Sequence, residues 1–190
     1  MDVAGSDLEV DTSFDATVSG SDDAGNPFSE TTTSVHTVDT AAVATIAVDP
    51  ITADDIINAA EAGGTVSVTG TVGGDAAAGD AVEMVINGTT YSTTVNPDGS
   101  TWSVDVAGSD LEVDTSFDAT VSGTDDAGNP FSETTTSVHT VDTTAAATIS
   151  VDNITADDII NAAEAGGTVS VTGTVGGDAA AGDAVEMVIN

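Results

Sequence analysis

Five consecutive residues, Asp125-Asp126-Ala127-Gly128-Asn129, offer two carboxylates and a side-chain amide, with a glycine where the backbone must turn tightly. The same run occurs earlier as Asp22-Asp23-Ala24-Gly25-Asn26. Calcium takes about six to eight oxygen ligands from carboxylates, carbonyls and amides, and such a loop supplies all three kinds. Other acids cluster comparably. Asp54, Asp55 and Glu61 share one short segment, Asp110, Glu112 and Asp114 alternate in another, and Asp142 stands apart. Asp157, Asp158, Glu164, Asp7, Glu9, Asp11 and Asp39 are their copies. All of these are candidate Ca2+ ligands. Several also suit a plainer use. Asp54 and Asp55 fit the first turn of a helix, where carboxylates accept orphan amide protons and complement the dipole. Asp125 and Asn129 fit a tight turn closed by side-chain bonds to the backbone. Glu83, Asp105, Asp118 and Glu133 fall at outward strand positions and read as solvated.

Other chemistries lack their residues. The chain has no Cys, hence no thiol nucleophile, disulfide or thiolate metal site. No Ser/His/Asp set, phosphate loop or EF-hand spacing is present. Gly73-Gly74-Asp75 begins like a calcium-binding nonapeptide and does not continue as one. Paired carboxylates without a pocket signal do not suggest catalysis, so an enzyme and a small-molecule substrate are not expected. His36 and His139 occupy one strand position in two copies and read as surface residues. Asn87-Gly88-Thr89 matches a glycosylation sequon by chance.

Charge narrows the field further. The chain carries 33 Asp plus Glu against no Lys or Arg, a formal charge of −33. A like-charged pair at about 4 Å and an effective dielectric near 20 costs roughly 4 kcal/mol, and nothing within the chain offsets it. Neutralisation must come from solution, through high ionic strength or bound divalent cations. The same charge disfavours nucleic acid and anionic membranes as partners. No membrane-length apolar run or signal peptide is recognisable. With 39% hydrophobic residues and a mean hydropathy of +0.13, the chain is nevertheless unlike a disordered acidic tail.

The elements that must position these acids are repeated. Residues 1–87 return as residues 104–190, differing only at Met1/Val104, Ser21/Thr124, Ala41/Thr144, Val43/Ala146, Ala47/Ser150 and Pro50/Asn153. An offset of 103 residues exceeds solenoid periods and matches one sandwich domain. Met1 in place of Val104 suggests a start inside a longer array. Period-2 alternation predicts strands near 44–48, 65–72, 81–86, 89–95, 101–106, 117–121 and 131–141, with Val66, Val68, Val82, Met84, Ile86, Trp102, Phe117 and Val121 inward. Thr52 and Asp55 read as a capping box opening a helix over 52–63 that Gly63 ends. The fold predicted is all-β, tandem immunoglobulin-like sandwiches of about seven strands with one short helical turn. Residues 43–145 form a complete repeat. Residues 1–42 hold the last three strands of one, and 146–190 the first three of the next. The two part-repeats lack only Gly88–Ser103 between them, so their ends are expected to pair head to tail between molecules, or to belong to a continuous array. In a seven-strand sandwich the candidate acids sort to two poles. Asp54, Asp55, Glu61, Asp110, Glu112, Asp114 and Asp142 fall at one; Asp75, Asp80, Asp125, Asp126 and Asn129 fall at the other.

The set Asp54-Asp55-Ile56-Ile57-Asn58-Ala59-Ala60-Glu61-Ala62, Asp98-Gly99-Ser100-Thr101-Trp102, Asp125-Asp126-Ala127-Gly128-Asn129 and Val141-Asp142-Thr143 resembles the bacterial Ig-like tandem repeats of giant RTX adhesins. The likeness is to the extender region of calcium-dependent adhesins of marine bacteria. It implies β-sandwiches with calcium at the joints, type I secretion to the cell surface, a role in adhesion and biofilm formation, and neighbouring repeats as partners. The family's ice-, sugar- and peptide-binding domains lie elsewhere and nothing here matches them. The function expected is a structural extender, rigidified by calcium, that projects a distal ligand-binding domain. Two rival readings are an Ig-like carbohydrate- or protein-binding module, which needs an exposed aromatic patch, and a salt-adapted domain needing no specific calcium.

Overall fold

The computed structural model describes residues 1–189. Along the chain run α1 (Gly5–Val10), β1 (Ser13–Ser21), β2 (Pro27–Val35), β3 (Ala44–Val48), β4 (Ile56–Asn58) and α2 (Ala59–Ala62). Then follow β5 (Thr65–Gly74), β6 (Ala81–Ile86), β7 (Thr89–Thr94), β8 (Thr101–Ala107), α3 (Gly108–Val113), β9 (Ser116–Thr124), β10 (Pro130–Val138) and β11 (Thr140–Asp142). The last are β12 (Ala147–Val151), α4 (Ala162–Ala165) and β13 (Gly173–Gly177).

Strands β3 to β11 build an immunoglobulin-like sandwich. One antiparallel sheet has the order β3-β5-β8 and the other β10-β9-β6-β7. A short parallel pair, β4 with β11, joins Ile56–Asn58 to Thr140–Asp142. After β3 the chain thus leaves its sheet to form a separate two-stranded ladder with β11. The period-2 residues make the core: Val68, Val82, Met84, Ile86, Val106, Ala119, Val121 and Trp102 are buried. Trp102 lies opposite Gly70 in the β5–β8 register. A Cβ on Gly70 would collide with the Ala47 carbonyl and with the indole at 2.6 Å, so glycine is what lets the largest core side chain cross the strand.

Turn chemistry sets the registers. Asn87 and Gly88 both have positive φ, 50° and 76°, as a two-residue type I′ hairpin between β6 and β7 requires. At the next turn the Asp98 carboxylate accepts the Ser100 and Thr101 amides at 2.9 Å and the Thr101 hydroxyl at 2.6 Å. These bonds, the Thr101 hydroxyl foremost, hold its pKa down to about 2.

Four expectations are corrected. The helix over 52–63 shrinks to Ala59–Ala62. Asp55 has φ 60°, closing a turn, and Ile56–Asn58 is strand because β11 recruits it. A long-range partner overrides the local capping signal. The cap is Asn58, whose side chain accepts from the Ala60 and Glu61 amides while Glu61 accepts from the Asn58 amide; Gly63 does end the helix. Second, α3 forms where only a loop was expected, with Leu111 buried. Third, His139 is buried, not a surface residue. It sits where the chain passes from β10 to β11, and its Nε2 pairs with the Leu111 carbonyl at 2.8 Å. Fourth, each part-repeat holds two strands rather than three. Residues 1–42 form α1 and the β1–β2 hairpin, and residues 146–189 form β12–β13 and α4. Among the described residues the copies of β6 and of most of β8 form no strand.

Candidate metal sites at the two poles

At the pole where β3 begins, the β5–β6 and β9–β10 loops meet the incoming chain. The Val43 amide donates to Asp75 Oδ2 at 2.7 Å, and the Asp75 amide donates back to the Val43 carbonyl at 2.7 Å. Ala146 and Asp178 repeat the pair in the next copy. In the β9–β10 loop, Asp125 accepts the Asn129 backbone amide at 2.7 Å and its side-chain amide at 2.8 Å. Gly128 at φ 92° closes that turn. Asn129 Nδ2 also reaches the carbonyl of Asp39 at 3.2 Å, so the loop touches the segment leading in from the preceding part-repeat. Asp22 and Asn26 form the same turn. Hydrogen bonds from the asparagine side chain, first, lower the pKa of both Asp125 and Asp22. Asp126 and Asp23 are exposed.

At the opposite pole the acids tie helices and turns together. Asp54 accepts from the Thr52 hydroxyl at 2.9 Å, which does most to lower its pKa, and from the Ile56 amide. Asp55 accepts the Ile51 amide through its carboxylate, and its carbonyl receives the Thr140 amide at 3.1 Å. Asp157, Asp158 and Glu164 repeat the local bonds of Asp54, Asp55 and Glu61. Asp110 accepts from the Tyr91 hydroxyl at 2.6 Å and from Asn87 Nδ2 at 3.1 Å. That sharing lowers the carboxyl's pKa and raises the phenol's. Asp114 accepts the Asn87 amide at 2.9 Å. Glu112, like Asp7, Glu9 and Asp11 in the first copy, is exposed. The Asp142 and Asp39 carboxylates each accept only a weak amide bond at 3.3 Å, from Thr144 and Ala41.

Most of the predicted ligands therefore have a local structural use: they close turns, cap α2 and α4, and pin α3 to the β6–β7 hairpin. Sequence reasoning missed the partners Tyr91 and Asn87, although the Asn-Gly pair was a readable turn signal. The donor chemistry suits calcium: ionised carboxylates and carbonyls are hard oxygen ligands, and a carboxylate that accepts one or two bonds keeps lone pairs free. Convergence is the missing part. Among the described residues no three His, Cys, Asp or Glu side chains gather closely enough to hold a metal ion. Among them, too, no helix is long and apolar enough to cross a membrane.

No protein-family profile matches the chain, and no curated protein does. Solved structures do. A structure bearing on host cell surface retention of a 1.5-MDa bacterial ice-binding adhesin is 53% identical with a TM-score of 0.89, over 94% of this chain and 58% of that one. A Ca2+-stabilised adhesin that helps an Antarctic bacterium reach out and bind ice is 59% identical with a TM-score of 0.68, over 94% of this chain and 44% of that one. A bacterial immunoglobulin-like domain from the M. primoryensis ice-binding adhesin is 58% identical with a TM-score of 0.51, matched along 100% of its length by 54% of this chain. The chain spans 58% and 44% of the first two, about half of each.

Proposed function

The chain belongs to the family of bacterial immunoglobulin-like domains represented in the M. primoryensis ice-binding adhesin, and from that premise we propose that it is a spacer in a secreted, RTX-type surface adhesin. The observation that carries this reading is the repeat itself. Two copies 103 residues apart preserve the sandwich strands, the capped turn and the joint, with Val38-Asp39-Thr40 returning as Val141-Asp142-Thr143. Repetition of that fidelity serves length, since a binding site needs only one copy. The complete repeat also offers no sugar-stacking surface: Trp102, Phe117 and Phe131 are buried, and the Tyr91 hydroxyl is held by Asp110.

Calcium enters this proposal at the joint. Asp39 carries few internal bonds and lies beside the β9–β10 loop, where Asp125, Asp126 and Asn129 would join it as ligands; Asp142 would stand in the same way to the following repeat. An ion there would replace repulsion between facing acidic poles by a shared charge and so stiffen the rod. Extracellular modules bind calcium at about 10⁻⁴–10⁻³ M, so such sites would fill outside a cell and stay empty inside it. Small-angle scattering of two tandem complete repeats tests this. The maximum dimension should lengthen and its distribution narrow on adding calcium to chelated protein. A rod equally long and stiff in chelator would count against it.

One observation favours a second reading: no three acidic side chains converge among the described residues. Ionic strength alone would then relieve the −33 charge, and magnesium or concentrated sodium chloride would serve as well as calcium.

A further inference from the structure

Asn87, at the tip of the β6–β7 hairpin, is tied to α3 by two bonds. Its side-chain Nδ2 donates to Asp110 Oδ1 at 3.1 Å, and its backbone amide donates to Asp114 Oδ2 at 2.9 Å. The other Asp110 oxygen accepts the Tyr91 hydroxyl at 2.6 Å. α3 in turn buries Leu111, whose carbonyl pairs with His139. In a chain with no Lys or Arg, an uncharged donor at position 87 is what lets two carboxylates lie against one turn. The residue after Asn87 is glycine, and this distinguishes it. Asn26, Asn96 and Asn129 precede proline, while Asn58, Asn153 and Asn161 precede alanine or isoleucine. The proline nitrogen carries no hydrogen, and a side chain on the following residue shields its backbone nitrogen. Gly88 has neither obstacle. Asn87 and Gly88 are both exposed, and a Cβ on Gly88 would meet nothing within 4 Å.

We infer that Asn87 is a site of spontaneous deamidation, and that the aspartate formed there unpins α3 from the β6–β7 hairpin. The Gly88 nitrogen, giving its proton to water, bonds to Asn87 Cγ. The Cγ–Nδ2 bond breaks, and Nδ2 takes up a proton and leaves as ammonia. Water then opens the cyclic imide at either carbonyl, giving aspartate or its backbone-shifted isomer. The balance is one water consumed and one ammonia released, with no oxidant or cofactor; asparagine is thermolabile for this reason. The bonds to α3 restrain Asn87, so the reaction proceeds through local openings of the hairpin. The product differs at the contact itself. A carboxylate oxygen replaces the donor that stood 3.1 Å from Asp110 Oδ1, and like charges that close repel. The isomer adds a backbone atom to a two-residue turn whose geometry sets the hairpin register.

This inference stands apart from the spacer reading and from calcium, so its test is run in chelator, with sodium chloride enough to keep the chain folded. The 190-residue chain is incubated at mildly alkaline pH, cut at its acidic residues and weighed by mass spectrometry. The peptide holding Asn87 should gain the difference between an amide and a carboxyl, faster as pH rises, while those holding Asn58 and Asn129 keep their mass. Asn87→Asp, which makes the product directly, should melt about 4–8 °C below the parent, the shift of one lost interaction in a domain of about 100 residues. Added salt should narrow that gap by screening. Asn87→Gly accepts the positive φ without the charge and should melt between the two. An Asn87 peptide of unchanged mass, or an Asn87→Asp chain that melts with or above Asn87→Gly, would overturn the inference.

Discussion

Residues 104–145 and 1–42 are almost the same sequence in two surroundings, and they reach different ends. Both fold α-helix then hairpin, with matching registers: Ser116 faces Val138 in one as Ser13 faces Val35 in the other. Burial separates them. Phe117 is 3% exposed and Phe14 42%; Val121 is 0% and Val18 60%. The C-terminal comparison goes further. Residues 65–74 are all strand, whereas in the copy 168–177 only Gly173–Gly177 is strand, alongside β12. Among the described residues, 168–172 pair with no strand. Local sequence thus writes the hairpin and caps, while the second layer supplies the hydrophobic free energy that holds them, consistent with the marginal stability of isolated two-stranded hairpins.

Paired substitutions break or sharpen this contrast. The largest difference is expected between Val121→Asp and Val18→Asp. A carboxylate at the buried position should cost about 4 kcal/mol or more and unfold the repeat. At the exposed position the change should stay within about 0.5 kcal/mol. Urea titration followed by far-ultraviolet circular dichroism reads both; equal losses would erase the distinction. Phe117→Ala should cost about 3–5 kcal/mol through lost burial and a cavity, and Phe14→Ala almost nothing on the same readout.

Gly108 and Gly5 offer a subtler pair. A Cβ at Gly108 would strike the Glu61 carbonyl, where α3 packs on α2, while one at Gly5 meets nothing within 4 Å. Gly108→Ala should therefore cost about 1–3 kcal/mol by overpacking. Gly5→Ala should be neutral, or favour α1 by up to about 1 kcal/mol, visible as helical circular dichroism. A Gly108→Ala protein as stable as the parent would mean that the helices do not approach so closely.

The smallest effect is electrostatic, at the turn that Asp98 closes. The Asp98 carboxyl has a folded pKa of about 2 against an ordinary 3.8. A depressed carboxylate contributes stability that is complete above the unfolded value and fades as pH falls through the folded one. Acid also relieves repulsion among the other carboxylates, so the difference between parent and Asp98→Asn isolates the turn. The melting-temperature gap should be constant above about pH 5 and close towards pH 2. A gap independent of pH would remove the carboxylate from the turn's stability.

The strands were legible because their partners share a strict period of two: Val82, Met84 and Ile86, or Phe117, Ala119 and Val121, can face a core in only one way. Long-range recruitment was not legible. Thr52 and Asp55 carry a good helix-start signal, yet β11 draws Ile56–Asn58 into a sheet, its Thr140 also bonding the Asp55 carbonyl 85 residues away. His139 looked like a surface strand residue because nothing local announces a change of sheet. The acids were legible as hard oxygen donors and as turn formers. Which use dominates depends on distances between loops that sequence spacing does not encode, and among the described residues the turn and cap bonds are the ones formed. Asp39, Asp126 and Asp142 are among the least committed, and the calcium proposal rests chiefly on them.

Thermal unfolding of the complete repeat, residues 43–145, and of two such repeats in tandem tests the central proposal most directly. Each is melted in chelator, in calcium, and in magnesium at matched ionic strength. Ion-stapled joints predict a calcium-specific rise, through binding to the folded state alone, that is larger in the tandem than in the single repeat. Equal stabilisation by magnesium and calcium, with no gain from the tandem, would contradict stapling and leave charge screening as the whole effect.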